Sequence, residues 1–395
     1  MLLAPPDPRA DAGARRVREG LAGGAEGGGG RALPGRVEEL YDADESLWPA
    51  LGAAFRADFR ALDRLLLRLH YQRGAVADPG RRERVLRFLT LGYALSGDVR
   101  YLNEFLWFGG GEAGGYGAVN RLTFGESVGT DGCHRFPLAG PEALARGVEA
   151  LTAHDAPPGP PRLPERVAVL GPPHAFSALY AALRREGCEP AVYDFPPPGR
   201  GWSRRLKAHP LVRRAYYAAR RCRVPYRAVP HPPASDEAGR MVAEAGCAVA
   251  VHQLPFIIRA NLIGALPGGI LNDHLGVLPF VRGRSSLEFS LLHGLPPAAT
   301  VHRVDKGVDT GPLLRGYVYA AEGAPSVQAL KAHVLRRQDA RLLDVLRYLG
   351  GGGRRTLANP PEQGLQYFTM HPELVRWLDA RVLPHLAGKD AGGRG

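Results

Sequence analysis

The spacing of apolar residues changes partway along the chain and predicts two kinds of structure. Over residues 47–69, apolar positions recur every three or four residues, which is the period of one buried helix face. The pattern repeats over residues 85–108, around a turn at Ser96-Gly97-Asp98. The first half of the chain therefore predicts a small all-helical domain over residues 37–110.

A second pattern begins after a proline-rich stretch at 153–166, where short apolar runs alternate with helical periods. The predicted strands cover residues 166–170, 191–195, 248–252, 269–272, 300–305 and 313–319. The predicted helices cover residues 175–186, 235–245 behind a Ser235 cap, 285–293 behind a Ser285/Glu288 capping box, and 327–349 behind a Ser326 cap. This alternation is typical of an α/β fold, a doubly wound and mostly parallel sheet with helices on its faces.

The remaining segments carry no periodic apolar pattern. Residues 1–36 are rich in Gly, Ala, Pro and Arg and are expected to form a disordered tail, because burial could not offset the entropy lost on ordering them. Residues 111–165 form a Gly/Pro-rich connection. The expected organisation is therefore a tail, a helical domain of unknown role, the connection, an α/β catalytic domain over 166–349, and a C-terminal extension over 350–395.

Composition limits the protein to a few broad classes. A chain of 395 residues is expected to form more than one domain. Its four cysteines lack paired spacing, which argues against a disulfide framework or a metal site and favours a reducing, cytoplasmic location. Neither an apolar leader nor a run of 18 apolar residues occurs, so no membrane association is expected.

The net charge of +12 invites a nucleic-acid partner, but only four of the 51 basic residues are lysines. Such an arginine excess can follow from codon composition, so the charge is given little weight and a nucleic-acid partner is not favoured. One segment is nevertheless unusual, since ten basic residues and no carboxylate occur over residues 200–227. This basic segment is either a solvated helical face or an anion site.

Candidate chemistry lies where the predicted strand at 269–272 ends. Asn272 and His274 are two residues apart, so in an extended backbone both side chains face the same side. Ligands of doubly wound sheets bind outside the carboxyl ends of the strands. Asn272 and His274 are therefore expected to contact one bound molecule.

The stretch from 269 to 314 resembles the folate-dependent formyltransferases. It contains, in order, Asn272-Asp273-His274, Leu278-Pro279, Arg282-Gly283 and the loop Asp305-Lys306-Gly307-Val308-Asp309-Thr310-Gly311. The combined string is specific, whereas an isolated N-x-H would be weak. Asp273 departs from the family, which usually has an apolar residue there, but it is expected to point away from the site.

The resemblance implies transfer of a formyl group from 10-formyltetrahydrofolate to an amine, with Asn272, His274 and Asp309 as the catalytic residues. Asn272 would donate to the developing oxyanion, and His274 would donate to it or accept the amine proton. Asp309 would orient His274. Which residue moves the proton stays open.

The resemblance also implies a folate slot formed by the loops after two strands. The residues expected there are Leu254, Pro255, Phe256, Ile257, Leu278, Val304, Asp305, Gly307 and Val308. No metal is expected. His252, His293 and His302 are interpreted as ordinary strand and helix-end residues.

Several acceptors remain open. The Arg-Gly-Arg-Ser string at 282–285 is most similar to sugar N-formyltransferases, so a small-molecule amine, in particular a nucleotide-linked amino sugar, is expected. Arg213 and Arg214 are then predicted to bind its diphosphate. The alternatives are methionyl-tRNA formyltransferase activity, which the short sequence after Gly350 disfavours, and formyltetrahydrofolate hydrolysis.

A hypothesis of another class is a folate-binding or interaction module without turnover. The intact Asn272, His274 and Asp309 argue against it. The role of the helical domain stays open between acceptor binding, homodimer formation and a second activity.

Overall fold

A computed structural model provides the fold. It describes residues 36–42, 44, 47–73, 76, 78–110, 128, 131–195, 209–254 and 256–386. The predicted tail up to residue 35, most of the connection over 111–130, residues 200–208 of the basic segment, Pro255 and the end of the C-terminal extension lie outside the described residues.

The chain forms two compact units. The first comprises Met1–Gly140, Leu291–Leu295 and Tyr367–Gly395, and the second comprises Pro141–Ser290 and Pro296–Gln366. The boundary at residue 140 lies inside the predicted connection, and the second unit includes residues 350–366 of the predicted C-terminal extension.

The first unit is mainly helical in its described residues, with an isolated bridge between Val128 and His134. Its helices are α1 (Val37–Tyr41), α2 (Leu47–Ala57), α3 (Asp63–Gln72), α4 (Pro79–Ser96) and α5 (Val99–Phe105). The predicted turn between α4 and α5 is confirmed. Gly97 ends α4 with a left-handed φ of 67°, and the Asp98 side chain caps α5 by accepting from the backbone N–H of Arg100.

The second unit contains a seven-stranded sheet. Its strands are β1 (Arg166–Leu170), β2 (Glu189–Asp194), β3 (Arg227–Ala228), β4 (Val249–His252), β5 (Ile270–His274), β7 (Ala298–Arg303) and β8 (Leu313–Val318). The strand order is β3-β2-β1-β4-β5-β7-β8. The five strands from β3 to β5 are parallel, whereas β7 and β8 pair antiparallel. The predicted mostly parallel sheet is confirmed.

Helices cover both faces of this sheet. The helices of the second unit are α6 (Pro141–Thr152), α7 (Ser177–Arg185), α8 (Pro210–Ala219), α9 (Asp236–Ala243), α10 (Ala260–Ile263), α11 (Ser286–Leu292, which runs to the unit boundary), α12 (Val327–Leu335) and α13 (Gln338–Gly350). Val167 and Val169 of β1 pack in one core cluster with α7 and α13. Ala168 and Leu170 pack on the opposite face with α9 and α10. Alternate side chains of one strand thus reach two cores, as expected for a doubly wound sheet.

Two local predictions differ from the structure. The single helix predicted over 327–349 is two helices, because the chain turns at Arg336 and Arg337 between α12 and α13. The Glu288 carboxylate of the predicted capping box accepts from Lys331 Nζ at 2.6 Å. The predicted connection over 111–165 contains the helix α6.

The segment after α13 returns to the sheet edge. Leu357 forms an antiparallel bridge with Leu313 of β8, with reciprocal backbone hydrogen bonds of 2.9 and 3.0 Å. A short strand, β9 (Leu365–Tyr367), pairs with β6 (Val281–Gly283). The chain continues into α14 (Pro372–Trp377) of the first unit. Among the helices that the structure describes, none is both long and apolar enough to cross a bilayer.

Candidate active site

The predicted site residues on β5 lie beside the antiparallel strand β7. Asn272 is paired with His302, and His274 is paired with Thr300. The strand alternation places Asn272 and His274 on one side, with Asp273 between them facing the other way. His274 is 6% exposed, so it is available to a ligand only at its edge.

The loop after β7 has an unusual backbone that presents Asp309. Asp309 has a positive φ of 52°, a conformation that is uncommon for a residue other than glycine and often found at functional sites. Asp305 supports the loop by accepting from Gly307 N at 3.0 Å and from Thr310 Oγ1 at 2.7 Å. A Cβ at Gly307 would clash with the Thr310 side chain, so a larger residue there would force Thr310 to move.

The structure brings the three predicted catalytic residues together. Asn272 Nδ2 donates to Asp309 Oδ1 at 3.1 Å, and His274 Nδ1 lies 3.3 Å from Asp309 Oδ2. The other ring nitrogen of His274, Nε2, donates to the carbonyl of Val281 at 2.9 Å. The Asp309 carboxylate therefore accepts from Asn272 and lies beside His274 Nδ1, from which it accepts a hydrogen bond only when the ring is protonated.

A backbone amide also holds this carboxylate. Gly283 N donates to Asp309 Oδ2 at 2.9 Å, and Gly283 has a φ of 89° that disfavours any other residue. The neighbouring Arg282 faces away and donates through Nη2 to the carbonyls of Pro361 and Gly364, at 2.8 and 2.9 Å. Arg282 thus supports the segment that precedes β9, and Gly283 binds Asp309 through its backbone amide.

His302, interpreted from the sequence as an ordinary strand residue, is part of this cluster. Its Nδ1 donates to the carbonyl of Arg303 at 2.8 Å, which leaves Nε2 to accept from Asn272 Nδ2 at 3.1 Å. The same Nε2 lies 3.4 Å from Asp309 Oδ1. The signal that would have found it is its place seven residues before Asp309 in the strand that leads to the loop.

Asn359 is a further residue that the sequence did not single out. Its Nδ2 donates to the backbone carbonyls of Asp309 at 2.8 Å and Gly311 at 2.9 Å. Asn359 is 6% exposed, so these bonds are protected from water. It therefore fixes the loop that carries the Asp309 carboxylate.

The protonation states follow from burial and from the surrounding charges. Burial would raise the pKa of Asp309, but the His274 and His302 rings and the Gly283 amide outweigh it, so this pKa lies below its ordinary value of 3.8. Burial lowers the pKa of His274 below 6.5, against the opposing effect of Asp309. At neutral pH the pair is therefore a carboxylate beside a neutral imidazole.

Exposure separates the roles that these side chains can have. The Asp309 side chain is 15% exposed, whereas the side chains of His274 and His302 are 5% and 2% exposed. Both amide hydrogens of Asn272 bond to neighbours in this state. To accept a hydrogen bond from Asn272, a bound molecule would therefore have to replace His302 or Asp309 as the acceptor.

Only some of the residues predicted to hold folate lie close together in the structure. Leu254, Phe256 and Val304 pack against the same core cluster, on the face covered by α9 and α10. Ile257 is 58% exposed, while Leu278 is fully buried at 0% and so lies behind the surface rather than on it. Asp305 and Gly307 shape the loop as described above, and Val308 is partly buried.

A buried histidine lies beside this apolar cluster. His252 Nδ1 accepts from Leu254 N at 3.2 Å, and its Nε2 is buried without a hydrogen-bond partner. Burial lowers the pKa of His252 to about 4, so the ring is neutral at pH 7. An unpartnered polar atom next to apolar side chains suits a heteroaromatic ring that carries its own hydrogen-bonding groups.

The basic segment does not present Arg213 as a free cation. Arg213 donates to both oxygens of Asp194, by Nε at 2.7 Å and by Nη2, and Tyr217 OH donates to the same carboxylate at 2.8 Å. Arg213 is therefore already paired with Asp194, and diphosphate binding by Arg213 and Arg214 stays a prediction. Arg220 lies over the ring of Tyr216, with 4.7 Å between the guanidinium carbon and the ring centroid.

No group of three or more His, Cys, Asp and Glu side chains is arranged to hold a metal ion in the part of the chain that the structure describes.

Comparison with known proteins gives a family match over the part of the chain that contains these residues. The family model for formyl transferase matches residues 165–346, which include Asn272, His274 and Asp309. The chain is 30% identical over 219 residues to the methionyl-tRNA formyltransferase of Thermobifida fusca, covering 55% of this chain and 68% of that protein.

Two other matches are more limited. The methionyl-tRNA formyltransferase of Corynebacterium urealyticum is 30% identical over 141 residues, covering 35% of this chain and 41% of the relative. A solved sugar N-formyltransferase from a Shewanella species matches with a TM-score of 0.39 and 14% identity, covering 52% of this chain and 76% of that one. The chain thus spans from less than half to about two thirds of the length of these curated relatives.

Proposed function

Since this chain belongs to the formyl transferase family, we propose that it transfers a formyl group from 10-formyltetrahydrofolate to an amine. The observation that carries this proposal is the Asp309 carboxylate, which is bonded to Asn272 and Gly283 N and lies within 3.4 Å of His274 and His302. These are the groups that an acyl transfer without a covalent intermediate requires, namely an oxyanion donor and a proton carrier.

In the proposed reaction the amine nitrogen attacks the formyl carbon, and the electron pair of the C=O bond moves to oxygen. Asn272 donates to this oxygen in place of one of its resting acceptors. The attacking nitrogen loses a proton to the pair formed by His274 and Asp309, and that proton passes to N10 as the bond from carbon to N10 breaks. The products are a formamide and tetrahydrofolate.

The neutral His274 ring suits a proton carrier. Once protonated, it donates to two acceptors, Val281 O at 2.9 Å and Asp309 at 3.3 Å, so the surroundings stabilise the imidazolium that burial disfavours. Asp309 keeps its charge throughout because its pKa is depressed. We therefore assign the proton to the coupled pair rather than to one residue.

Folate is proposed to bind between the loops after β4 and β7. Leu254, Phe256 and Val304 offer an apolar wall there, and the unpartnered His252 Nε2 offers a buried donor, because Nδ1 of the neutral ring already accepts from Leu254 N. We include Ile257 and Val308 as contacts at the open side. Leu278 would support this slot from behind.

For the acceptor we propose a nucleotide-linked amino sugar. The motif at 282–285 supports this choice, and Arg284 is exposed directly after Gly283, whose amide contacts Asp309. An exposed guanidinium next to the reacting groups suits a phosphate. A second candidate is methionyl-tRNA, because the curated relatives reported above are named methionyl-tRNA formyltransferases.

The test uses purified protein, 10-formyltetrahydrofolate and a panel of acceptors that includes nucleotide-linked amino sugars and charged initiator tRNA. Tetrahydrofolate release is followed by absorbance, with His274→Ala as the control variant. Release that depends on one acceptor and is lost in the variant would support the proposal and identify the amine. Release without any amine would instead indicate a hydrolase.

A further inference from the structure

Asp273 is the residue between Asn272 and His274, and it is bound on the opposite side of the strand. Its Oδ1 accepts from Arg341 Nε at 2.8 Å, and its Oδ2 accepts from Arg341 Nη2 at 2.5 Å. The side chains of Asp273 and Arg341 are 1% and 2% exposed. A bidentate ion pair is therefore buried directly behind the catalytic residues.

Arg341 is itself held by further contacts. Its Nη1 donates to Tyr319 OH at 2.7 Å and to the carbonyl of Val334 at 2.8 Å. Val334 lies near the end of α12, and Tyr319 directly follows β8. The guanidinium thus connects the end of β5 to α12, α13 and the segment after β8.

Stability alone does not explain this arrangement. A buried ion pair generally stabilises a fold no better than well-packed apolar side chains of the same volume, because both charges lose their hydration. A bidentate Arg–carboxylate pair does provide direction, because the planar guanidinium matches the two oxygens in one orientation. At the end of a strand, that orientation determines where the neighbouring side chains point.

We propose that Asp273 and Arg341 are positioning residues for the transfer reaction. Their ion pair fixes the rotation of the end of β5, so that Asn272 and His274 both face Asp309. This inference rests on the proposed function for its kinetic consequence, although the geometry that it concerns can be measured without turnover.

The test compares Asp273→Asn and Arg341→Lys with the wild-type protein, at a temperature well below the melting temperature of each variant. Both variants weaken the bidentate contact and retain side chains of similar size. We expect kcat to fall by about 10- to 100-fold, because small misplacements of reacting groups have effects of that size. The Kd for tetrahydrofolate should stay within about twofold, since neither residue touches the proposed folate slot.

The matched control is Asp344→Asn. Asp344 also joins α13 to β8, accepting from Arg315 Nη1 at 3.1 Å and from Tyr317 OH at 2.5 Å, and both of these partners lie on β8 rather than on β5. Its kcat should equal the wild-type value. Values of kcat within twofold of wild type in both Asp273→Asn and Arg341→Lys would overturn the proposal and leave the pair a purely structural role.

A double variant, Asp273→Leu with Arg341→Met, separates stability from positioning. It removes both charges together, so we expect it to fold with a melting temperature close to that of the wild-type protein. Its kcat should remain lowered about as much as in the single variants. A double variant with wild-type kcat would show that apolar packing positions β5 equally well and would overturn the proposal.

If the wild-type protein transfers no formyl group, the proposed function fails, but the positioning role can still be tested by NMR. The ring ¹⁵N shifts of His274 report its contacts with Val281 O and Asp309 in the unliganded protein. Changed shifts in Asp273→Asn and unchanged shifts in Asp344→Asn would support the positioning role. Unchanged shifts in both variants would overturn it.

Discussion

Replacing Asp309 with asparagine removes the charge at the centre of the site with little change of shape. The carboxylate accepts from Asn272 Nδ2 and Gly283 N and faces two histidine rings. An asparagine keeps one oxygen and places an NH₂ group where the other oxygen was. At least one of the present donors then meets a donor.

The size of the effect follows from these contacts. Loss of a hydrogen bond to a charged acceptor costs about 2 kcal/mol of unfolding free energy. The larger effect is on catalysis, because a protonated His274 would lack its counter-charge. We expect kcat to fall by about 10³-fold in Asp309→Asn, which corresponds to roughly 4 kcal/mol of transition-state stabilisation.

Stability should also respond to pH in a defined direction. The pKa of folded Asp309 lies below its ordinary value of 3.8, so the carboxylate stabilises the fold at neutral pH and loses this effect as the pH falls. The difference in unfolding free energy between wild type and Asp309→Asn should therefore be largest near pH 7 and shrink below about pH 4.

The assay combines urea unfolding at several pH values with steady-state kinetics. The control is Glu186→Gln, which breaks the exposed pair between Glu186 and Arg347 away from the site. The control should keep the wild-type kcat. If Asp309→Asn retains kcat within about threefold of wild type, the central role given to this carboxylate is wrong.

Three further predictions concern the same site. First, kcat/KM should be constant near neutral pH and should fall as the pH drops through a value below 6.5. The reason is that burial lowers the pKa of His274 and that the reaction needs its neutral ring. A fall of kcat/KM centred above pH 6.5 would contradict this prediction. Second, Asn359→Ala removes the hydrogen bonds to the carbonyls of Asp309 and Gly311. It should lower the free energy of unfolding by about 2 kcal/mol in urea unfolding and should also lower kcat. An unchanged kcat would mean that the loop does not need these hydrogen bonds. Third, Gly283→Ala should lower the free energy of unfolding by about 1 to 3 kcal/mol, because the φ of 89° at this position strains an alanine. A variant with the melting temperature of the wild-type protein would refute the requirement for glycine.

Local sequence pattern predicted the sheet well where the strands are short and fully apolar. β1 and β4 each read as an apolar run with turns on both sides, and the structure places them side by side in the centre of the sheet. The Ser235 and Ser326 caps were also predictable, because each serine accepts from a backbone N–H three residues later. Such signals depend only on neighbours in the chain.

The three residues predicted to be catalytic came from a motif, whereas the residues that contact them depend on long-range pairing. His302 reaches Asn272 only because β7 runs antiparallel to β5 in one particular register, which single-sequence periodicity does not specify. Asn359 is 50 residues from Asp309 in the chain. The break between α12 and α13 was missed because no glycine or proline marks it in the sequence from 327 to 349.

The most direct test of the account is to identify the product of a single turnover. Protein in excess would be mixed with 10-formyltetrahydrofolate labelled with ¹³C in the formyl group and with the acceptor that stimulates tetrahydrofolate release, and the label would be located by mass spectrometry and NMR. The account predicts that the label appears as a formamide on the acceptor nitrogen, with one tetrahydrofolate per formamide, and that Asn272→Ala slows its appearance. Label recovered as formate, or left on folate that stays bound to the protein, would contradict it.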